Sequence, residues 1–438
     1  MESYLFKSDD VPYFPFKLIK HNEKWGISHP FEDKIYEIND SSYWILRLCD
    51  GYRTWYEITI ELYKHLKLNY PETRKKAELF IREITSEGLI WWRERRMEWV
   101  KIPGPLAVLW DLTAQCNLKC KHCVVNSDSH KLKNIPLAKC KHLINQMHDA
   151  GVKQLILSGG EPLMRKDFFS IANYATRKGF KLQVATNATM IDESVAKKLA
   201  NINASTQVSL DAFTPEIHDE FRNNKGSWAR TIRGINLLRK ENVNVITACV
   251  VTNLNIHEIP ELYRLASSLR VNAFRIMPFV PYGRGNTSRD LEVDPSQMRD
   301  LTKELKSIYK DVGLELVPME FECTLTEPPE IKPDPLHVQR IGCDGAVAYC
   351  TITADGEVLP CNYFYGVEAD NVNDNDFGTI WMNSRILNYF RSLRTDDIKG
   401  FCQRCDYFNV CRGSCIAANF AHGDIFQSNC HCWLVNKK

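Results

Sequence analysis

Between residues 106 and 278 short apolar runs alternate with longer amphipathic ones, and no other feature of this 438-residue chain restricts its fold as much. Leu106–Leu112, Gln154–Ser158, Lys181–Ala185, Thr206–Leu210, Val243–Val250 and Ala273–Pro278 read as strands. Leu137–Ala150, Phe168–Lys178, Asp192–Ala200, Trp228–Glu241 and Ile259–Leu269 lie between them, with apolar residues at helical spacing. Six such βα units predict a parallel sheet covered by helices. In sheets of this kind ligands gather at the carboxyl ends of the strands, so the residues just after each run are where chemistry is expected.

The first of those stretches is Asp111-Leu-Thr-Ala-Gln-Cys-Asn-Leu-Lys-Cys-Lys-His-Cys123, which sets Cys116, Cys120 and Cys123 at CxxxCxxC spacing. Three thiolates can hold three irons of a [4Fe–4S] cube and leave the fourth without a protein ligand. An iron with an open position can bind and cleave a cofactor, whereas a fully ligated cluster only passes electrons. The bland alternative is a zinc knuckle with His122 as fourth ligand. Thirty-five residues after Cys123, the second strand ends in Ser158-Gly159-Gly160-Glu161-Pro162.

Gln115–Cys123 resembles the cluster loop of the radical S-adenosylmethionine (SAM) enzymes, with His122 at a position that is often aromatic. The Gly159-Gly160-Glu161-Pro162 segment is similar to that family's GGEP segment, which receives the methionyl amine of SAM. Order and separation of the two motifs match the family as well. The resemblance implies a partial (β/α)6 barrel of the TIM type. It also implies a [4Fe–4S] cluster on Cys116, Cys120 and Cys123, with SAM bound beside it and cleaved to a 5′-deoxyadenosyl radical. Ala185-Thr-Asn187-Ala-Thr189 and Val208-Ser209-Leu-Asp211-Ala212 resemble segments lining the SAM pocket. That register assigns Asn187 to the pocket, Asp211 to the ribose hydroxyls, and Ser209 and Arg222 to the SAM carboxylate. The plainer reading makes Asp211 a turn cap and Arg222 a helix-surface residue.

From Cys343 onward nine cysteines fall in fewer than a hundred residues: Cys343-x12-Gly356-x4-Cys361 with Cys350 between, Cys402-x2-Cys405-x5-Cys411-x3-Cys415, then Cys430 and Cys432. The pattern resembles the SPASM extension of radical SAM enzymes that act on peptides. The resemblance implies two auxiliary iron–sulfur clusters, one on Cys343, Cys361, Cys415 and Cys350. The other takes Cys402, Cys405, Cys411 and either Cys432 or Cys430. A zinc ribbon on Cys402, Cys405, Cys411 and Cys415 is the alternative, and it leaves Cys343 and Cys361 unexplained. Formylglycine-forming relatives carry an aspartate directly after the cysteine matched by Cys361; here Asn362 stands there and cannot act as a base. Cys49, Cys140 and Cys249 sit in apolar contexts that suit core residues, and Cys323 is a candidate hydrogen-atom donor.

Residues 1–100 read as a separate small unit, followed by the barrel over 101–310 and the cysteine-rich region over 311–438. Phe16–Lys20 and Lys34–Ile38 suggest a hairpin across Asn22–Gly26, and Asn39–Ser42 offers caps to a helix carrying Tyr43, Ile45 and Leu46. Thr54 caps a second helix with Tyr56, Ile60 and Tyr63 at helical spacing; a third spans Glu72–Ser86, and Gly88–Trp92 returns as a strand. This winged-helix-like order resembles the recognition element of ribosomal-peptide maturation enzymes and the peptide chaperone of pyrroloquinoline-quinone synthesis. In that family a leader peptide adds to the sheet edge beside the third helix, which backbone hydrogen bonding makes sound. A DNA reader would present a basic third helix, but Arg74, Lys75, Lys76 and Arg82 are balanced by Glu72, Glu78, Glu83 and Glu87.

Over the whole chain, this order resembles the enzymes that forge cysteine-to-α-carbon thioethers in sactipeptides. It implies a ribosomal precursor peptide as substrate and a flavodoxin- or ferredoxin-type electron donor. Cross-linking, epimerisation, backbone excision and quinone-cofactor synthesis all fit, whereas a non-enzymatic iron–sulfur peptide carrier fits less well because it has no need of an open iron. A formal net charge of +2 with no basic tract gives no footprint for nucleic acid or a membrane surface. Sixteen cysteines without an N-terminal signal segment point to metal in a reducing cytoplasm.

Overall fold

The computed structural model describes residues 7–435 apart from 22–23, 30–33, 67–69, 95, 128–132 and 318–339. Cys323 and the turn residues Asn22 and Glu23 lie outside the described residues.

The chain opens with strand β1 (Val11–Tyr13) and an antiparallel sheet of β2 (Leu18–His21), β3 (Lys24–Ser28) and β4 (Ile35–Ile38), in the order β2-β3-β4. The expected two-strand hairpin is thus a three-strand meander, because Lys24–Ser28 pairs on both sides with Gly26 inside it. Three helices follow: α1 (Asp40–Leu48), α2 (Trp55–Leu66) and α3 (Tyr70–Ser86). Asn39 caps α1 by accepting the Ser42 N–H at 2.9 Å. At α2, Thr54 and Glu57 form a reciprocal capping pair, Thr54 N to Glu57 Oε2 at 2.9 Å and Glu57 N to Thr54 Oγ1 at 3.3 Å. Strand β5 (Trp91–Arg93) returns as expected from Gly88–Trp92, but its partner is β1, a strand hidden in the sequence by Pro12.

The barrel strands are β6 (Ala107–Asp111), β7 (Gln154–Ser158), β8 (Lys181–Thr186), β9 (Ser205–Ser209), β10 (Val245–Val251) and β11 (Ala273–Pro278). All pair in parallel and in chain order, so the parallel sheet that the alternation predicts stands, as does the (β/α)6 partial barrel that the resemblance implies. Side chains alternate across it. Val108, Trp110, Leu155, Leu157 and Val208 are fully buried under the helices, while the opposite set lines the lumen. Lumen polar groups meet across strands, Gln154 with Gln183 at 3.5 Å and Arg275 with Gln207 at 3.2 Å.

Two additions lengthen the sheet. Strand β12 (Glu315–Val317) joins β11, and at the other end β13 (Tyr349–Ile352), from the cysteine-rich region, runs parallel to β6 and carries the antiparallel β14 (Val358–Leu359). The cysteine-rich region is therefore built into the barrel sheet. It also holds the N-terminal unit: Tyr13 stacks on Tyr389 at 4.2 Å, and Trp91 meets Phe364, Phe390 and Phe420 edge-on. Buried Arg93 reaches Asp397 at 3.2 Å and Ser392 at 2.8 Å. The Pro-Gly stretch before the barrel is seated rather than loose; Val100 N bonds Asn388 Oδ1 at 3.2 Å and the Ile102 carbonyl accepts from Trp381 at 2.8 Å.

Candidate active site at the barrel rim

The cysteine loop leaves the top of β6 and lies on the loop after β7. Gly160 N donates to the Thr113 carbonyl at 2.7 Å and Glu161 N to the Gln115 carbonyl at 2.8 Å. A Cβ on Gly159 would stand 2.3 Å from the Thr113 oxygen, and one on Gly160 would stand 2.1 Å from the Gln115 oxygen. Gly159 also has φ +134°, which L side chains rarely adopt. The paired glycines are thus needed for the two loops to touch. Glu161 is fully buried; its carboxylate accepts from Thr186 Oγ1 at 2.8 Å, Asn187 N at 2.9 Å and Leu163 N at 3.2 Å. Burial pushes its carboxyl up to about 7, against those hydrogen bonds and Arg222.

Within the loop, Cys120 is buried and Cys116 and Cys123 are half-buried. Backbone N–H groups reach the sulfurs, Leu118 to Cys116 and Ser127 to Cys123, both at 3.4 Å, and Ser127 Oγ lies 3.0 Å from the Cys123 sulfur. Arg284 clamps the loop from beyond β11, its Nε on the Cys120 carbonyl at 2.9 Å and Nη1 on the Ser127 carbonyl at 3.0 Å. Sequence reasoning missed Arg284; its one signal is the Tyr-Gly-Arg-Gly run just past the sixth strand.

Arg222 ends helix α4 (Pro215–Arg222) and is itself buried, which corrects the plainer reading of it as a surface residue. Its guanidinium binds Asp211 at 2.5 Å and lies 3.6 Å from the Cys120 sulfur. Asp211 is fully buried, and its other oxygen accepts Val250 N at 3.1 Å. Burial pushes its carboxyl up, but Arg222, then His122 and His218, outweigh that and hold it below the usual range. The residue expected at a ribose is in this structure the anchor of Arg222. Ser209 closes β9, half-buried, on the lumen face. Asn187 is bonded on both sides, donating to Asn117 Oδ1 at 2.9 Å and accepting from Thr189 Oγ1 at 2.7 Å, so it ties the cysteine loop to the loop after β8. Asn117, in the middle of the cysteine run, was not singled out from sequence.

His122 stacks on Phe221 with ring centroids 4.1 Å apart. Burial, then Arg222, pulls its pKa down to about 3, so the ring is neutral. Its buried Nδ1 has no hydrogen-bond partner among the described residues. An orphaned buried nitrogen of this kind suits a bound polar cofactor. The donor set also fits an iron–sulfur cube: three cysteines, amide N–H groups on two sulfurs, and a cation beside the third.

In the C-terminal region Cys402, Cys405 and Cys411 form one electrostatic neighbourhood, and Cys432 joins it through Cys411 and Cys402. Cys430 instead faces Glu292, and burial pushes its thiol up to about 12. Cys350 sits on β13, fully buried opposite Val108 and near Arg391. Cys343, Cys361 and Cys415 are half-buried and pack against the same core. Cys49, Cys140 and Cys249 are core residues, as expected.

An open parallel barrel with a three-thiolate loop at its rim defines a class, iron–sulfur enzymes that open a cofactor at an iron the protein leaves free. Known proteins make the class particular. The radical SAM superfamily matches residues 110–266, and the SPASM iron–sulfur cluster-binding domain matches residues 341–406. The AdoMet-dependent heme synthase of Methanosarcina barkeri is 32% identical over 342 residues, 75% of this chain and 96% of that protein. The mycofactocin maturase MftC of Mycolicibacterium smegmatis is 30% identical over 338 residues, 74% of this chain and 81% of that one. Among solved structures, Streptococcus suis SuiB bound to its precursor peptide SuiA superposes with TM-score 0.64 at 17% identity, covering 97% of this chain and 98% of that one. The chain belongs to the radical SAM superfamily. It is an S-adenosylmethionine-dependent enzyme that binds a [4Fe–4S] cluster, and its SPASM domain binds auxiliary iron–sulfur clusters. Among the described residues, no helix is long and apolar enough to cross a membrane.

Proposed function

We propose that this chain modifies a ribosomally made precursor peptide by forming an oxidative cross-link, a thioether or a carbon–carbon bond. The observation that carries the reading is the N-terminal unit. Strand β4 is the edge of its sheet, and Tyr36 on it reaches Glu87 just past α3 at 3.5 Å. An edge strand beside a helix is where an extended peptide gains backbone hydrogen bonds and side-chain pockets together. MftC's name as a maturase and SuiB's capture with a precursor peptide support this reading.

In this reading Cys116, Cys120 and Cys123 hold the cluster with the open iron. The Gly159-Gly160-Glu161-Pro162 segment takes the SAM amine, while Arg222 and Ser209 take its carboxylate. Asp211 acts through Arg222 as a positioning residue, and Asn187 positions the cysteine loop. One auxiliary cluster uses Cys343, Cys350, Cys361 and Cys415; the other uses Cys402, Cys405, Cys411 and Cys432, with Cys430 left over. The bound cluster and SAM supply a 5′-deoxyadenosyl radical able to take hydrogen from an unactivated carbon. A flavodoxin- or ferredoxin-type protein supplies the electron. The N-terminal unit over 1–100, the barrel over 101–310 and the auxiliary-cluster region over 311–438 divide recognition, radical generation and electron acceptance.

A second reading, chemistry on a tetrapyrrole, is favoured by the identity to the heme synthase. High-resolution mass spectrometry separates them. Candidate short precursors are co-expressed with the enzyme and with Cys116→Ala, and Fe-coproporphyrin III is incubated with the purified enzyme in parallel. A peptide two hydrogens lighter per linkage, dependent on Cys116, is expected. A changed porphyrin with unchanged peptides would transfer the assignment to the second reading, and solvent deuterium in a peptide of otherwise unchanged mass would mark epimerisation.

A further inference from the structure

Asp111 closes β6 on the lumen face, in register with Ser158 on β7, one layer below the Gly159-Gly160 turn. It is 3% exposed. The other two buried carboxylates at the rim are committed, Asp211 to Arg222 and Glu161 to backbone N–H groups and Thr186. What acts on Asp111 is the hydroxyl of Tyr365, which donates to Oδ2, and that of Ser158. Burial pushes the Asp111 carboxyl up to about 6, and the two hydroxyls offset this in part. Tyr365 comes from the cysteine-rich region, three residues past Asn362 and four past Cys361. The Tyr282 hydroxyl holds the Tyr365 carbonyl from beyond β11, and Tyr365 as a residue is half-buried. Tyr349 on β13 and Cys123 on the cluster loop are within electrostatic reach of Tyr365.

We propose that Tyr365 and Asp111 form the proton acceptor of the bond-forming step, an assignment that rests on the cross-linking reading above. For a thioether, one hydrogen atom leaves the peptide carbon for the 5′-deoxyadenosyl radical. The substrate S–H bond then breaks and the S–C bond forms, releasing one proton and one electron. The electron goes to an auxiliary cluster. The proton goes to the Tyr365 hydroxyl oxygen as Tyr365 hands its own to Asp111. Asn362 has no such capacity, whereas a buried carboxylate hydrogen-bonded to a phenol does.

The test uses the reconstituted full chain as wild type, Asp111→Asn and Tyr365→Phe, with whichever precursor peptide the wild type converts. It follows 5′-deoxyadenosine release and product between pH 5 and pH 8.5. Both variants are expected to cleave SAM within about twofold of wild type while product falls at least about 100-fold, the scale of a lost general base. Wild-type product formation is expected to fall as pH drops through about 6, the value to which burial moves Asp111, while SAM cleavage stays level. Infrared difference spectra of the chain before cluster loading give a readout apart from activity, a protonated-carboxyl band that titrates near the same pH and is missing in Asp111→Asn. Product at the wild-type rate in Asp111→Asn, loss of SAM cleavage in step with product, or no titrating band overturns the assignment. A wild type that converts no peptide at all overturns instead the cross-linking reading on which the assignment rests.

Discussion

The buried charges at the rim differ in how each is compensated, and this gives Asp111 an unusual pH signature. A carboxyl whose folded-state pKa is raised is most stable as the neutral acid; that stability is full below about 4 and is lost as pH rises through about 6. Asp111→Asn, neutral throughout, is expected to gain up to about 3 kcal/mol over wild type above pH 6. The gain shrinks towards pH 5, and thermal melts at the two pH values measure it. A variant more stable yet inactive is what a site kept at the expense of stability should give. Gly160→Ala belongs to the same scale. Its methyl would meet the Gln115 oxygen at 2.1 Å, so a loss of about 1–3 kcal/mol is expected. The displaced cysteine loop should also bind less iron, which iron analysis checks. Both glycines and all three cysteines stood out in the sequence because their chemistry is local. Asp111 did not, because an acid at the end of an apolar run looks like an ordinary strand terminus until Tyr365 is brought over it.

Among the elements, the six barrel strands and the five helices expected between them were legible to within a residue or two, since a strand buried beneath helices declares itself by apolar content, but the short helix Pro215–Arg222 was not among them. Helix α2 was legible as a helix but not in its orientation. Tyr56 and Tyr63, noted in the sequence for their helical spacing, are 51% and 44% exposed, and Trp55, Ile58 and Leu62 are the buried set. Both stripes repeat at helical spacing, and only the position of the neighbouring sheet and α3 decides which one is covered. Trp55→Ala is accordingly expected to cost about 3–5 kcal/mol. Tyr56→Ala should stay within about 0.5 kcal/mol, with chemical denaturation as the measurement. Strand β1 escaped notice for a related reason, since three residues with a central proline carry no periodicity and form a strand only because β5 lies alongside.

At the scale of the whole molecule, the cysteine-rich region is less an appendage than a frame. It lends β13 to the barrel sheet, holds Arg93 and Trp91 of the N-terminal unit, and carries Tyr365 to the barrel mouth. It also separates two cysteines that spacing could not. Cys432 shares the electrostatic neighbourhood of Cys402 and Cys411, whereas Cys430 is within electrostatic reach of Glu292. Cys432→Ala is expected to lose up to about four irons per chain, and Cys430→Ala to keep them, as read by iron and sulfide analysis. The sequence by itself determined the parallel βα alternation, the radical-generating motifs and the inventory of thiolates, because periodicity and short ligand spacings are written along the chain. Only the tertiary structure decided which cysteine belongs to which neighbourhood, which face of α2 is covered, what Asp211 holds and what holds Asp111. Those are contacts between residues tens to hundreds of positions apart, and their energies depend on burial and on partners that no local pattern encodes.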